Sequence, residues 1–169
     1  MKIVLVVGRK KRGKTTLVER LIPEFIDRGY KVGSIKHTTS DHTFDNPGKD
    51  SFRHAQAGAE RTLILSPHRM AFFSNRWQSR NVERLLEFLF EGCDLVIGEG
   101  FKDSPYPKIE IMDASRDRVP VSGPEDNLRA IVCDQEVKGQ VPVFSTRQIA
   151  ELADFVEKSL LGELGEKGA

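Results

Sequence analysis

The sequence predicts an α/β fold: a mostly parallel sheet carrying one antiparallel insertion. Three observations lead there. Continuous apolar, β-branched runs such as "KIVLVV" at 2–7 and "LVIGE" at 95–99 have the composition of strands covered on both faces. Longer stretches with helical spacing of apolar residues stand between such runs. Finally, "RTLILS" and "RMAFFS", separated only by Pro67 and His68, read as two adjacent paired strands at 61 to 74.

In chain order, "KIVLVV" ends at Gly8, and "KTTLVERLIPEFIDRG" follows with Leu17, Leu21, Ile22 and Phe25 on one helical face. Gly29 is its stop signal, and Pro23 predicts a kink or local break. "KVGSIKH" is a second strand. "TTSDHTFDNPG" is polar and turn-rich, hence a loop, and "KDSFRHAQAGA" a short helix closed by Gly58. Asn81 is placed to cap "VERLLEFLFEG". "CDLVIGEGF" is another buried strand, with "PKIEIMDA" a further one. "SRDRVPVSGPEDN" reads as an exposed loop, and "RAIVCD" and "VPVFS" as short strands. Ser145 or Thr146 opens the last helix, with Gln148 completing a capping box if Ser145 is the cap. No repeat, low-complexity tract or linker divides the chain. Residues 1–162 are expected to form a single domain, and 163–169 a frayed tail.

Bulk properties exclude several classes. The 169 residues suffice for one domain with a real core, and a net charge of +1 makes the whole chain no magnet for nucleic acid. No basic stripe with interleaved aromatics is present; Phe72, Phe73 and Trp77 read as a core strand and an interface residue rather than a base-stacking set. Cys93 and Cys133 are far apart inside apolar runs, the pattern of reduced thiols in a cytoplasmic protein. The apolar start is too short for a membrane span and is followed by no small-residue cleavage site.

Residues 8–16, "GRKKRGKTT", carry the strongest chemical signal. Gly8, four residues, then Gly13, Lys14 and Thr15 fit a phosphate-binding loop, and the motif sits where it must, after a buried strand and before an amphipathic helix. The glycines let backbone N–H groups approach phosphate oxygens, and the helix N-terminus adds a positive dipole end. Lys14 supplies a point charge for the β- and γ-phosphates, while Thr15 offers a hydroxyl to Mg²⁺. The fold class is accordingly a P-loop NTPase-like three-layer sandwich. Arg9, Lys10, Lys11 and Arg12 fill the loop; their charges are expected to point outward, raising the local positive potential or facing something anionic.

Parallel sheets bind ligands beyond the carboxyl ends of their strands. Glu99 ends its strand there and suits a Mg²⁺-bound water or the attacking water; Asp94 belongs to the opposite end. The loop after the second strand offers Asp45 and Asp50 to the Mg²⁺ shell. His37 and His42 share that loop without a nearby cysteine, a poor basis for a dedicated zinc site. His54 and His68 read as surface residues. Lys102 and Lys108 are candidates for an anionic ligand, with a solvated lysine as the ordinary alternative. Asp134 is a weak candidate for reading a base, and no NKxD pattern accompanies it.

The blocks "GRKKRGKTTL", "VGSIKH", "FDNPGKDSFRHAQAGA", "CDLVIGEGFK" and "PKIEI", in this order, resemble the molybdopterin-guanine dinucleotide biosynthesis protein B (MobB) family. The resemblance covers residues 3 to about 111 and is most specific in "PGKDSFRHAQAGA". It implies a cytoplasmic, dimeric, GTP-binding protein using Mg²⁺, at most a slow GTPase. Such a protein assists GMP attachment to molybdopterin beside the nucleotidyltransferase that performs it. It also implies nucleotide contacts along Gly8, Arg9, Lys10, Lys11, Arg12, Gly13, Lys14, Thr15 and Thr16. Lys14 and Glu99 are the implied catalytic pair, and Thr15, Asp45, Asp50 and Glu99 the Mg²⁺ neighbours, with Lys49 and Arg53 bordering the site. Two departures stand out: "TTSDH" replaces a histidine-rich run, and the loop between the glycines is unusually basic. Guanine preference comes from the resemblance alone. Other readings of the residues are a P-loop small-molecule kinase with 115–127 as lid, a GTP-driven metallochaperone using His37 and His42, and an adaptor that binds nucleotide without turnover.

Overall fold

The computed structural model describes residues 1–40, 44–75, 82–137 and 140–162. Asp41, His42, Trp77, Asn81 and the tail from 163 lie outside them. Contacts divide the chain into two compact units, Met1–Thr38 with Glu87–Ala169, and Thr39–Leu86.

The larger unit is built on a six-stranded sheet formed by β1 (Lys2–Val7), β2 (Val32–Lys36), β5 (Leu95–Glu99), β6 (Lys108–Ile111), β7 (Leu128–Val132) and β8 (Val143–Phe144). The strand order is β2-β5-β1-β6-β7-β8, and every neighbouring pair is parallel. The β-branched runs occupy its centre because they are covered on both faces: Val4, Leu5, Val6, Val7, Leu95, Val96 and Ile97 are all buried. One face carries α1 (Lys14–Asp27) and α4 (Ile149–Val156), whose Leu17, Leu21, Phe25, Leu152 and Val156 join Val4, Val6, Ile97 and Ile109 in one cluster. On a central strand, Gly98 leaves room for Leu5 and Ile35, whose side chains a Cβ there would meet at 2.4 and 3.1 Å.

The smaller unit contains α2 (Asp50–Gln56) and the antiparallel pair β3 (Arg61–Leu65) and β4 (Met70–Ser74), in the register Leu63 opposite Phe72. Phe72 does not join a core, as its sequence suggested, but stays half exposed, together with Leu63, Ile64, Leu65 and Met70. A two-stranded ribbon has too little area to bury both of its faces. The remaining helix, α3 (Val82–Leu89), spans the boundary between the units. Among the described residues, no helix is long and apolar enough to cross a membrane.

Several local expectations are corrected. Helix α1 runs through Pro23 without a break. The carbonyl deprived of a donor belongs to Glu19, and both residues are exposed, so that it is not left in an apolar interior. Helix α4 starts at Ile149, not at Ser145 or Thr146. Gln148 Oε1 still accepts the Ser145 N–H at 2.9 Å, so half of the expected capping box is present one turn before the helix. Thr146 is instead held by Asp134, which accepts its N–H and hydroxyl at 2.7 and 2.9 Å. Lys108 is no surface cation. It is buried, donating to the carbonyls of Ser104, Tyr106 and Asp126, and burial pushes its ammonium below the ordinary lysine range.

The charged segment 115–127 is mostly exposed, as its charge pattern predicts, with two exceptions. Asp117 and Ser122 are buried, and Glu110 on β6 is fully so. The Glu110 carboxylate accepts the N–H groups of Val121 and Ser122 at 2.8 and 3.0 Å. Burial pushes that carboxyl up, and these two bonds pull it back only in part. Asp117 receives Arg12 through both oxygens, Nε at 2.8 Å and Nη2 at 2.9 Å. Arg9 donates to the Val119 carbonyl at 2.9 Å. The basic run therefore does not point outward as a block: Arg9 and Arg12 turn onto this segment, and Lys10 and Lys11 alone of the four stay exposed.

The hydrogen bonds from Arg12 hold the Asp117 carboxyl at about 2, below the ordinary 3.8. A depressed carboxyl stabilises the fold above its unfolded value and loses that contribution as pH falls through the folded one. Urea unfolding of the protein and of Asp117→Asn is thus expected to show the native chain ahead at pH 7, with the gap shrinking from about pH 4 towards pH 2. A gap independent of pH would contradict the ion pair.

Candidate nucleotide site

The site grows from the end of β1. Gly8 has φ 138°, and a Cβ there would lie 2.2 Å from the Ile111 carbonyl oxygen, so only glycine lets the turn pass β6. Gly13, at φ 90°, leads into α1. Helix α1 has neither a capping side chain nor an acidic residue in its first turn. The first N–H groups of a helix have no partner within it, so this end presents donors and a positive dipole to an anion.

Lys14 folds back over the loop, its Nζ donating to the carbonyls of Gly8 at 3.0 Å and Arg9 at 2.8 Å. Burial pushes the ammonium below the ordinary lysine range, with the Glu99 charge opposing. Thr15 donates its hydroxyl to Glu99 Oε2 at 2.9 Å, and Lys36 Nζ meets Glu99 Oε1 at 2.8 Å. Burial alone would raise the Glu99 carboxyl, but the hydrogen bonds from Lys36 and Thr15 prevail and set it below the ordinary glutamate value. Sheet register makes this cluster: Glu99 lies beside Val6 on β1 and beside Lys36 on β2. Beyond it, Gly100 and Phe101 adopt positive φ, and a Cβ on Gly100 would press to 2.8 Å from the His37 carbonyl. The His37 ring packs on Phe101 with centroids 4.3 Å apart.

Lys14, Thr15 and Glu99, chosen from sequence, thus come together at the carboxyl ends of β1 and β5. Asp94 stands at the far end of its strand, accepting the Lys31 N–H. Of the loop residues, Arg9 and Arg12 commit their guanidinium groups elsewhere, leaving the backbone as their means of meeting a ligand. Asp45, Lys49, Asp50 and Arg53 belong to the smaller unit. There Asp45 accepts the Asn46 N–H and the Ser51 hydroxyl, while exposed Asp50 lies 3.7 Å from Arg53. Among the described residues, no three His, Cys, Asp or Glu side chains gather as a metal-binding group. Sequence reasoning missed Lys36, Glu110 and Asp117. The pairing of β2 with β5 singles out Lys36, and no periodicity in one strand reveals a neighbour.

Comparison with known proteins places the family and the fold. The family described as molybdopterin guanine dinucleotide synthesis protein B matches residues 3–134. A Haemophilus influenzae protein named molybdopterin-guanine dinucleotide biosynthesis adapter protein is 31% identical, over 92% of this chain and 87% of its own. Its Escherichia coli namesake is 33% identical over 85% of each chain. Among solved structures, Bacillus subtilis MobB superposes with a TM-score of 0.73 at 29% identity, covering 96% of this chain and all of its own. A Bacillus stearothermophilus MobB homolog gives 0.67 at 26% identity, over 94% and 99%. The fold is thus the P-loop NTPase-like sandwich of those structures, and the chain belongs to the MobB family, molybdopterin guanine dinucleotide synthesis protein B.

Proposed function

We propose that this chain is an adapter in molybdopterin guanine dinucleotide synthesis and that it works by binding Mg²⁺-GTP at the phosphate loop. The observation that carries the nucleotide is the convergence of Lys14, Thr15 and Glu99 on an uncapped helix N-terminus. The residues fit the group. Glycine geometry at Gly8 and Gly13 keeps the loop backbone bare, Lys14 is a cation for phosphate oxygens, and Thr15 with Glu99 is a hydroxyl–carboxylate pair of the kind that holds hydrated Mg²⁺. The adapter role follows the names of the relatives, and guanine follows the family. Bound Mg²⁺ supplies charge neutralisation at the transferred phosphate. This chain's residues hold and orient: Lys36 keeps the Glu99 carboxylate ionised, and Glu99 keeps Thr15 in place. Hydrolysis is slow in this reading, because the cluster contains no arginine finger and no glutamine to orient water. Asp45 and Asp50 remain candidates for the Mg²⁺ shell.

Pinning of Asp117, Val121 and Ser122 by Arg12 and Glu110 weighs against 115–127 acting as the mobile lid of a small-molecule kinase. The partner is the nucleotidyltransferase that joins GMP to molybdopterin, with molybdopterin itself as a further ligand and the cytoplasm as the setting. Homodimerisation uses the β3–β4 ribbon, whose Leu63, Leu65, Met70 and Phe72 expose more apolar surface than a lone ribbon keeps in water without a cover.

Three outcomes test this reading. Lys14→Ala is expected to weaken Mg²⁺-GTP binding by roughly 2–4 kcal/mol in calorimetric titration, the scale of losing one partner of a desolvated charge pair. Unchanged affinity would remove the phosphate-loop assignment. Glu99→Gln is expected to keep a native melting temperature while GTP turnover falls by about 10–100-fold, the usual cost of losing an outer-shell partner of a metal; full turnover would exclude a role at the metal shell. Sedimentation should find a dimer that Phe72→Glu converts to monomer, and a dimer surviving that change would place the interface elsewhere.

A further inference from the structure

Lys11 sits at the crown of the phosphate loop with φ 61°, a left-handed conformation that a side chain disfavours and glycine accepts freely. Such a residue persists only where its surroundings over-determine it. Here they do. The Arg12 guanidinium reaches back across Lys11, its Nη1 contacting the Lys10 carbonyl at 3.5 Å while Nε and Nη2 grip Asp117. On the other side of the crown, Arg9 is tied to Val119. The anchor itself is rigid: the Asp117 side chain is 1% exposed, and its Oδ2 also accepts the Asp113 N–H at 3.1 Å. Asp117 N–H in turn reaches the Asp113 carbonyl at 2.7 Å. Glu110 then fixes the far end of the same segment through Val121 and Ser122.

We propose that Asp117 is a positioning residue for the phosphate loop, holding the left-handed turn at Lys11 through Arg12 and so doing the work that a glycine at residue 11 would do. The inference rests on the nucleotide reading above but concerns the loop's shape, which is measurable without nucleotide. A fork of two parallel hydrogen bonds fixes direction as well as distance, which a lysine in place of Arg12 cannot do. It also accounts for the basic loop: two of its four cations, Arg9 and Arg12, are struts to the segment after β6, and the crown dispenses with glycine because the struts hold it.

The experiment compares the native chain, Asp117→Asn, Arg12→Lys, Lys11→Gly and the double variant Asp117→Asn with Lys11→Gly. Each is titrated with Mg²⁺-GTP and, without nucleotide, followed by amide hydrogen exchange. Asp117→Asn is expected to raise Kd about tenfold, the loss when one loop in ten keeps the competent shape. Arg12→Lys shifts it in the same direction by less. Lys11→Gly on the Asp117→Asn background returns most of the affinity, since glycine adopts the turn without help. Exchange at residues 9–13 rises in Asp117→Asn, while exchange in β1 and β5 stays native. Native affinity and native loop exchange in Asp117→Asn would overturn the proposal. So would a loss that Lys11→Gly does not restore, which is the mark of general destabilisation. If the native chain binds no nucleoside triphosphate, the nucleotide reading fails by itself, and loop exchange still decides the strut. Should Asp117→Asn not fold, Arg12→Lys carries both measurements.

Discussion

Everything at the site depends on how closely the turn after β1 passes the end of β6. At Gly8 the backbone runs so near the Ile111 carbonyl that no side chain can stand between them. That approach sets the start of the loop against the sheet, and the loop then has five residues in which to reach the start of α1. A larger residue would push the turn outward, and Lys14 and Thr15 would leave the carboxyl end of β5. The same contact brings the loop within reach of the segment leaving β6, from which Asp117 and Val119 receive Arg12 and Arg9.

Buried charge is distributed by a consistent rule. Glu110, Asp117 and Lys108 are almost completely withdrawn from solvent, and each is satisfied by several partners rather than one. An unpaired buried charge is costly enough that such groups are kept where they fix geometry. Glu110 and Asp117 fix the segment after β6, and Lys108 gathers three carbonyls from two turns. Arg28 plays the same part at the other end of α1, joining Glu24 to Asp154 and Glu157 and so tying α1 to α4 and the residue after it. Glu99 differs. It keeps some access to solvent, and its partners Lys36 and Thr15 are side chains able to exchange a bond for a ligand.

Legibility followed the range of the interaction. Strands β1 and β5, helix α1 and the β3–β4 pair were readable because each is encoded in its own period, run length or turn. Lys14, Thr15 and Glu99 were readable because the loop motif and the strand-end rule are local patterns with a chemical reason. The start of α4 was misplaced because Thr146, which has the look of a cap, is captured by Asp134 from another strand end. Within the exposed loop 115–127 the burial of Asp117 was not legible, because its charge resembles the solvated ones around it. Nothing nearby in the chain tells that Asp117 meets Arg12, more than a hundred residues away.

By itself the sequence determined the α/β class, the identity of the strands at the sheet centre, and the placing of the loop motif after β1 and of the acid at the end of β5, since each follows from neighbouring residues and their allowed conformations. Only the tertiary structure decided which charges are paired within the fold and which stay exposed. The run from Arg9 to Arg12 shows why. Four adjacent cations look alike in sequence, yet strand order places a buried carboxylate beside Arg12 and a carbonyl beside Arg9, while Lys10 and Lys11 meet solvent. Pairing energy depends on the distance and burial of the partner, and both are set by the packing of segments far apart in the chain.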